Sequence, residues 1–161
     1  TYIEEYNNDI DIHLKKDGTD AVKVDDLTRV LSEDPYKILI ISEDRKVRDF
    51  LLHFMCKYET PPNIVQSEST YLEILPAGVT KGTALRKLTS YMEIPLSKVI
   101  AFGDNLNDLE MLHTAGFGVA MRNSNPELIK RADFVTGSNE EEGVAQVLEM
   151  IISTNPGTYG E

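Results

Sequence analysis

Val99-Ile100-Ala101-Phe102-Gly103-Asp104-Asn105-Leu106-Asn107-Asp108 is the stretch whose reading decides the fold. Val99 to Phe102 form a short unbroken apolar run, as expected of a parallel strand covered on both faces, and Gly103 punctuates its end. A helix follows almost at once. Leu106, Leu109, Leu112 and Ala115 recur at helical spacing, and Gly116 stands where a chain leaving a helix often needs a left-handed residue. The turn between strand and helix therefore carries Asp104, Asn105, Asn107 and Asp108.

In an open α/β sheet, ligands bind outside the carboxyl ends of the strands, and this turn sits at such an end. Two carboxylates within five residues, beside the amides of a helix start, suit a hard cation and an anion bridged by it. Asp and Asn are also the usual helix caps, so one such residue would carry no further meaning. Four exceed what capping needs. An EF-hand loop is a poor alternative, because its third ligand position would fall on Leu106 and its glycine position on Leu109.

Outward from this turn the pattern is a regular series of β-α units. A helix is expected from about Lys81 to Met92, then strands at Val99, Val119 and Phe134, each followed by a helix. The last helix is expected to begin near Asn139, with Glu140, Glu141 and Glu142 in its first turn and Val144, Val147, Leu148, Ile151 and Ile152 on its core face. Lys81, between Thr80 and Gly82, opens the first of these helices, where a cation opposes the dipole. Beside the Asp104 and Asp108 turn, a lysine that reaches an anion held by a metal becomes a reasonable reading.

Pro76-Ala77-Gly78 is the best candidate for an interdomain crossing, since turn residues cluster there and the pattern changes on either side. Before it, Ile10, Ile12 and Leu14 alternate with polar residues as in a half-buried strand, and residues 15–20 read as a turn. Ala21, Val24, Leu27, Val30 and Leu31 keep helical spacing as far as Asp34-Pro35. A strand is expected over Tyr36 to Ile41, and a helix with Val47, Phe50, Leu51, Phe54 and Met55 on one stripe. Ile64 to Ser67 and Tyr71 to Leu75 read as two further strands joined by a polar turn at Glu68 to Thr70.

The 161 residues are 41% hydrophobic and 27% charged, enough for one core or two small ones. No run approaches the ~18 apolar residues that span a bilayer. The formal net charge of −11 argues against nucleic acid or an anionic membrane surface as partner. An acidic chain that handles a phosphate substrate must neutralise its own field locally, with a metal ion and a lysine. The single cysteine, Cys56, excludes an intrachain disulfide framework and fits a reducing cytoplasmic compartment; its neighbours Phe54, Met55 and Tyr58 read as those of a packed thiol. His13, His53 and His113 fall on unrelated elements and read as surface or packing residues. The tail from Asn155 to Glu161 reads as frayed.

Three segments together resemble the Cof-type phosphatases of the haloacid dehalogenase superfamily: Gly78 to Gly82 with Ala84-Leu85, Gly103 to Asp108 with Met111-Leu112, and Ala115-Gly116 through Gly118 to Met121 and Asn123. Ala132-Asp133 and Glu142 to Ala145 continue the likeness. It covers about the C-terminal half, while residues 1–76 resemble that subfamily's cap more loosely. The resemblance implies a doubly wound, Rossmann-like α/β core over residues 77–161, present in part, and a C2-type α/β cap over residues 1–76. It implies Mg2+-dependent hydrolysis of a small phosphorylated metabolite through an aspartyl-phosphate. By position, Lys81 would hold the phosphoryl group and steady the nucleophilic aspartate, Asp104 would bind Mg2+, Asn107 would contact phosphate or substrate, and Asp108 would support the metal from behind.

The family's first motif, Asp-x-Asp-Gly-Thr after an apolar strand, is where the chain departs. Asp17-Gly18-Thr19 supplies the only Asp-Gly-Thr, and the nucleophile position two residues earlier is Lys15, which cannot form an acyl phosphate. The expectation is therefore a C-terminal part of a longer phosphatase, inactive alone, whose uncovered apolar surface would favour a homodimer. Alternatives are a degenerate, non-catalytic binding module that keeps the metal turn, and the phosphorylation domain of a P-type ATPase. The latter should lead on into membrane helices, and Asn155-Pro156-Gly157 does not.

Overall fold

Asn7 starts a helix where alternation alone suggested a strand. In the computed structural model, which describes residues 1–42, 45–55, 57–67 and 70–154, its side chain accepts from the Ile10 N–H at 2.9 Å. The helix α1 (Asn8–Asp17) has Asp9 and Asp11 in its first turn and Lys15 and Lys16 in its last, so both ends complement the dipole. Gly18, at φ 62, ends it in the left-handed conformation. Asp17-Gly18-Thr19 is therefore a helix terminus. The half-buried strand at Ile10, Ile12 and Leu14 is overturned, and Ile12 stands exposed on the helix.

The chain divides into two compact units, Thr1–Ile64 with Glu68–Pro76, and Val65–Ser67 with Ala77–Glu161. In the first, β1 (Tyr2–Ile3) pairs in parallel with β2 (Val22–Lys23) across α1. The helix expected over residues 21–31 contracts to the single turn α2 (Leu27–Val30), because Asp26 caps it by accepting the Thr28 N–H at 2.9 Å. Then come β3 (Ile38–Ile41), α3 (Arg45–Met55), β4 (Asn63–Gln66), whose last two residues count with the second unit, and β5 (Tyr71–Leu75). They form a sheet in the order β3-β5-β4, with β3 antiparallel to β5 and Ile38 opposite Ile74. This register puts Ile38, Ile40, Leu72 and Ile74 on one face. Tyr71, on the other face, meets the His13 ring edge-on at 5.3 Å. Cys56, the 68–69 part of the polar turn, the Phe50 side chain and the tail 155–161 lie outside what is described.

In the second unit, Thr80 and Thr83 close a reciprocal cap that starts α4 (Lys81–Tyr91): the Thr80 hydroxyl accepts the Thr83 N–H at 3.0 Å, and the Thr83 hydroxyl accepts the Thr80 N–H at 2.9 Å. A 3-10 turn leads to β6 (Ile100–Gly103), followed by a second 3-10 turn, Leu106–Asp108, and α5 (Leu109–Thr114). Next are β7 (Phe117–Ala120), α6 (Pro126–Ile129), β8 (Phe134–Val135) and α7 (Gly143–Thr154). The strands are all parallel in the order β6-β7-β8. Ala101, Leu112, Ala120 and Leu128 make the buried cluster where α5 and α6 cover the sheet. Among the described residues no strand pairs with the other edge of β6, and no helix is long and apolar enough to cross a membrane.

Two helix ends differ from expectation. Gly116 is not left-handed; a Cβ there would lie 2.6 Å from the Leu96 carbonyl oxygen and from the Ser97 Cα, so the glycine permits close backbone approach. Gly116→Ala is expected to cost about 2 kcal/mol in urea unfolding, since backbone must shift to admit the methyl group. The last helix begins at Gly143, not near Asn139, and Glu140 to Glu142 form the turn before it. Glu142 holds φ 56, and a Cβ on Gly143 would overlap the Gly137 carbonyl, which fixes the start. Only Val147 of its expected core face is buried and Ile151 half-buried, while Val144, Leu148 and Ile152 are exposed.

Candidate active site

The bend after β6 is built around one buried carboxylate. Asp108, 3% exposed, accepts at one oxygen from the Lys81 ammonium, and at the other from the backbone N–H groups of Asp104 (3.0 Å) and Asn105 (3.2 Å). Lys81 arrives there because α4 packs on α5. Gly82 permits that packing, since a Cβ on it would sit 2.6 Å from the Glu110 Cγ. Burial by itself pushes the Asp108 carboxyl up. The hydrogen bonds from Lys81 and the two backbone amides outweigh it, so the carboxyl titrates below its ordinary value.

Asn105 caps the same bend. Its side-chain oxygen accepts the Leu106 N–H at 2.8 Å, and its side-chain N–H donates to the Ser67 carbonyl at 2.7 Å. Asn105 and Asp108 thus form a reciprocal cap on the 3-10 turn. Capping accounts for these two of the four polar residues and leaves the other two over. Asp104 is exposed, and its carboxylate makes no hydrogen bond or ion pair among the described residues. Asn107 is half-buried, and its Oδ1 is shut off from solvent with no hydrogen-bond partner. A buried amide oxygen without a donor is costly unless something absent from the chain satisfies it.

These leftover groups are oxygens, the donor type that Mg2+ prefers. An oxygen-binding divalent cation therefore fits them by donor type, and Asp104 and Asn107 are the residues that could hold it. Asp108 has both oxygens engaged and acts on the bend, not outward. Among the described residues no three His, Cys, Asp or Glu side chains stand close enough to hold a metal by themselves. The histidines are elsewhere: His13 against Tyr71, His53 exposed on α3, and His113 with its ring nitrogen 3.2 Å from the Arg131 carbonyl.

Sequence reading missed the support that comes from the turn after β7. Met121 N–H and the Ser124 hydroxyl both donate to the Gly103 carbonyl, at 3.0 and 3.2 Å, and Asn125 N–H donates to the Asp104 carbonyl at 3.0 Å. No local pattern in residues 121–125 announces these bonds, because their acceptors lie some 20 residues upstream.

A family model for haloacid dehalogenase-like hydrolases matches residues 1–148. A Haemophilus influenzae protein is 37% identical over 129 residues, which are 80% of this chain and 48% of that protein. A 5-amino-6-(5-phospho-D-ribitylamino)uracil phosphatase of Bacillus subtilis is 35% identical over 145 residues, covering 84% of this chain and 51% of its own length. The crystal structure of a haloacid dehalogenase-like hydrolase from Bacteroides thetaiotaomicron superposes with a TM-score of 0.81 at 28% identity, over 93% of this chain and 57% of that one. The chain spans about half the length of the curated relatives it matches.

Proposed function

Because the chain belongs to the haloacid dehalogenase-like hydrolases, we propose that it works as the C-terminal part of a Mg2+-dependent phosphatase acting on small phosphomonoesters such as sugar phosphates. The observation that carries this reading is the division of labour in the bend: Asn105 and Asp108 close it, with Lys81 on Asp108, while the Asp104 carboxylate and the Asn107 Oδ1 have no partner among the described residues. The Bacillus subtilis relative is itself named as a phosphatase of a phosphomonoester, 5-amino-6-(5-phospho-D-ribitylamino)uracil.

Lys81 supplies the positive charge that draws a phosphoryl oxygen. Asp108 keeps it aimed, and with half of its side-chain surface exposed it retains N–H donors for the substrate. Asp104 and Asn107 would hold Mg2+ and a phosphoryl oxygen. When bound, the metal offsets charge that builds on the transferring group. The attacking carboxylate comes from outside these residues. In support, Lys15 occupies the place of the nucleophile in the chain's Asp-Gly-Thr, and among the described residues no group of three His, Cys, Asp or Glu forms at the bend and no strand pairs with the outer edge of β6. That carboxylate oxygen would bond to phosphorus as the ester oxygen leaves with a proton from the motif's second aspartate, which regains a proton from the water that attacks next. Water then cleaves the aspartyl-phosphate, releasing inorganic phosphate and restoring the carboxylate.

The test is hydrolysis of p-nitrophenyl phosphate by the 161 residues alone and by an extended chain that adds an N-terminal segment bearing Asp-x-Asp-Gly-Thr. Turnover is expected only from the extended chain, lost on chelation with EDTA and restored by Mg2+. Turnover by the 161 residues alone would overturn the external nucleophile. The Lys15 departure favours one second reading, a non-catalytic binding module, which predicts an inert extended chain.

A further inference from the structure

The Asp104 backbone is gripped from two elements at once. Its N–H goes to Asp108 Oδ2 at 3.0 Å, and its carbonyl accepts the Asn125 N–H at 3.0 Å. The residue before it, Gly103, has its carbonyl bound by both Met121 N–H and the Ser124 hydroxyl. Ser124 is buried, and its own N–H is tied to the Met121 carbonyl at 3.0 Å. Asn125 is fixed in turn, since its side chain caps α6 by accepting the Glu127 N–H at 2.9 Å. All this bonding ends at an exposed aspartate whose carboxylate has no partner among the described residues.

We propose that Asn125, through its backbone N–H and with Ser124 behind it, is a positioning residue that presents the Asp104 carboxylate to a divalent cation. The inference rests on the reading of Asp104 as a cation donor. A side chain on a backbone tethered at both polar groups is already ordered when the ion arrives, so binding carries less entropic cost. Asp108 supplies one tether and the turn after β7 the other. That turn therefore sets cation affinity without touching the ion. One neutral hydrogen bond corresponds to roughly two- to tenfold in an equilibrium constant.

The experiment follows Mn2+-induced broadening of amide NMR signals in the 15N-labelled 161-residue chain, with Mg2+ as competitor, and thermal unfolding of each variant beside it. Asn125 sits at φ −54, a value native to proline, so Asn125→Pro removes the N–H without forcing that angle. Asn125→Ala keeps the N–H and loses only the α6 cap. In the wild type the broadening is expected to centre on residues 104–108. Asn125→Pro is expected to weaken apparent Mn2+ affinity about fivefold, against less than about twofold for Asn125→Ala. A merely structural role would move the melting temperature of both variants and leave the affinity alone. Should Asn125→Pro fail to fold, Ser124→Ala decides, with an expected weakening of about twofold. Wild-type affinity in a folded Asn125→Pro, or in Ser124→Ala where that variant decides, would overturn the proposal. Asp104→Asn separates the two levels: broadening that survives it would overturn the cation reading beneath.

Discussion

Lys81→Met in the extended chain is expected to lower phosphatase turnover by about a thousandfold, with a much smaller change in stability. Phosphoryl transfer asks little covalent chemistry of the protein, so fixed positive charge at the phosphoryl oxygens carries much of the rate, and removing one such group typically costs about 10²- to 10³-fold. Methionine keeps the length and packing of the stem and removes the charge. The Asp108 carboxylate loses one partner and keeps the N–H groups of Asp104 and Asn105. Because the Lys81 side chain is 51% exposed, solvent already screens the pair, and the expected loss of stability is about 1 kcal/mol. Steady-state kinetics beside urea unfolding check this. Turnover within tenfold of wild type would remove Lys81 from the phosphoryl site.

Asp108→Asn is expected to cost about 3 kcal/mol at pH 7, more than any other single change in the bend. The carboxylate serves three donors with two oxygens, and an amide has one oxygen and an N–H2. Either Lys81 or the two backbone amides must then face a donor in a buried place. The variant should also change the response to acid. The folded carboxyl lies below its ordinary value of 3.8 because the donors outweigh burial. Its stabilisation is therefore fully present above that value and is lost as pH falls through the lower, folded one. Wild type should lose stability on going from pH 5 to pH 3, and the gap between wild type and Asp108→Asn should narrow over the same range. Urea midpoints at pH 7, 5 and 3 measure both effects. A gap that stays constant would mean that Asp108 does not carry the acid response.

Short-range signals made the second unit legible. The apolar run into Gly103, the polar bend and the leucines after it lie within some 15 residues, and apolar runs alternate with polar turns and helical spacing through the rest of the unit. In the first unit, α1 was misjudged because three alternating apolar residues fit a helix as well as a strand, and the deciding signals, Asn7 and Gly18, stand outside them. The β1–β2 pair is two residues long and joins segments 20 apart, which no local pattern records. Gly116 reads locally as a helix end and Gly143 falls inside the last helix expected from near Asn139, yet tertiary neighbours, the Leu96 carbonyl and Gly137, explain both.

The site shows the same division. That Asp104, Asn105, Asn107 and Asp108 form one bend was readable from residue types alone. Which of them close the bend and which face outward was not, because the choice depends on Lys81 reaching Asp108 from another helix. The support from Ser124 and Asn125 was invisible for the same reason.

The central claim is that the free carboxylate of this bend holds the ion on which turnover depends. Turnover of the extended chain against Mg2+ concentration, in wild type and Asp104→Asn, tests it most directly. Asp104 is exposed and its carboxylate has no partner among the described residues, so the variant should unfold like wild type. Its half-saturating Mg2+ should nevertheless rise about tenfold or more, with a lower plateau. A Mg2+ response that superimposes on wild type would contradict the account.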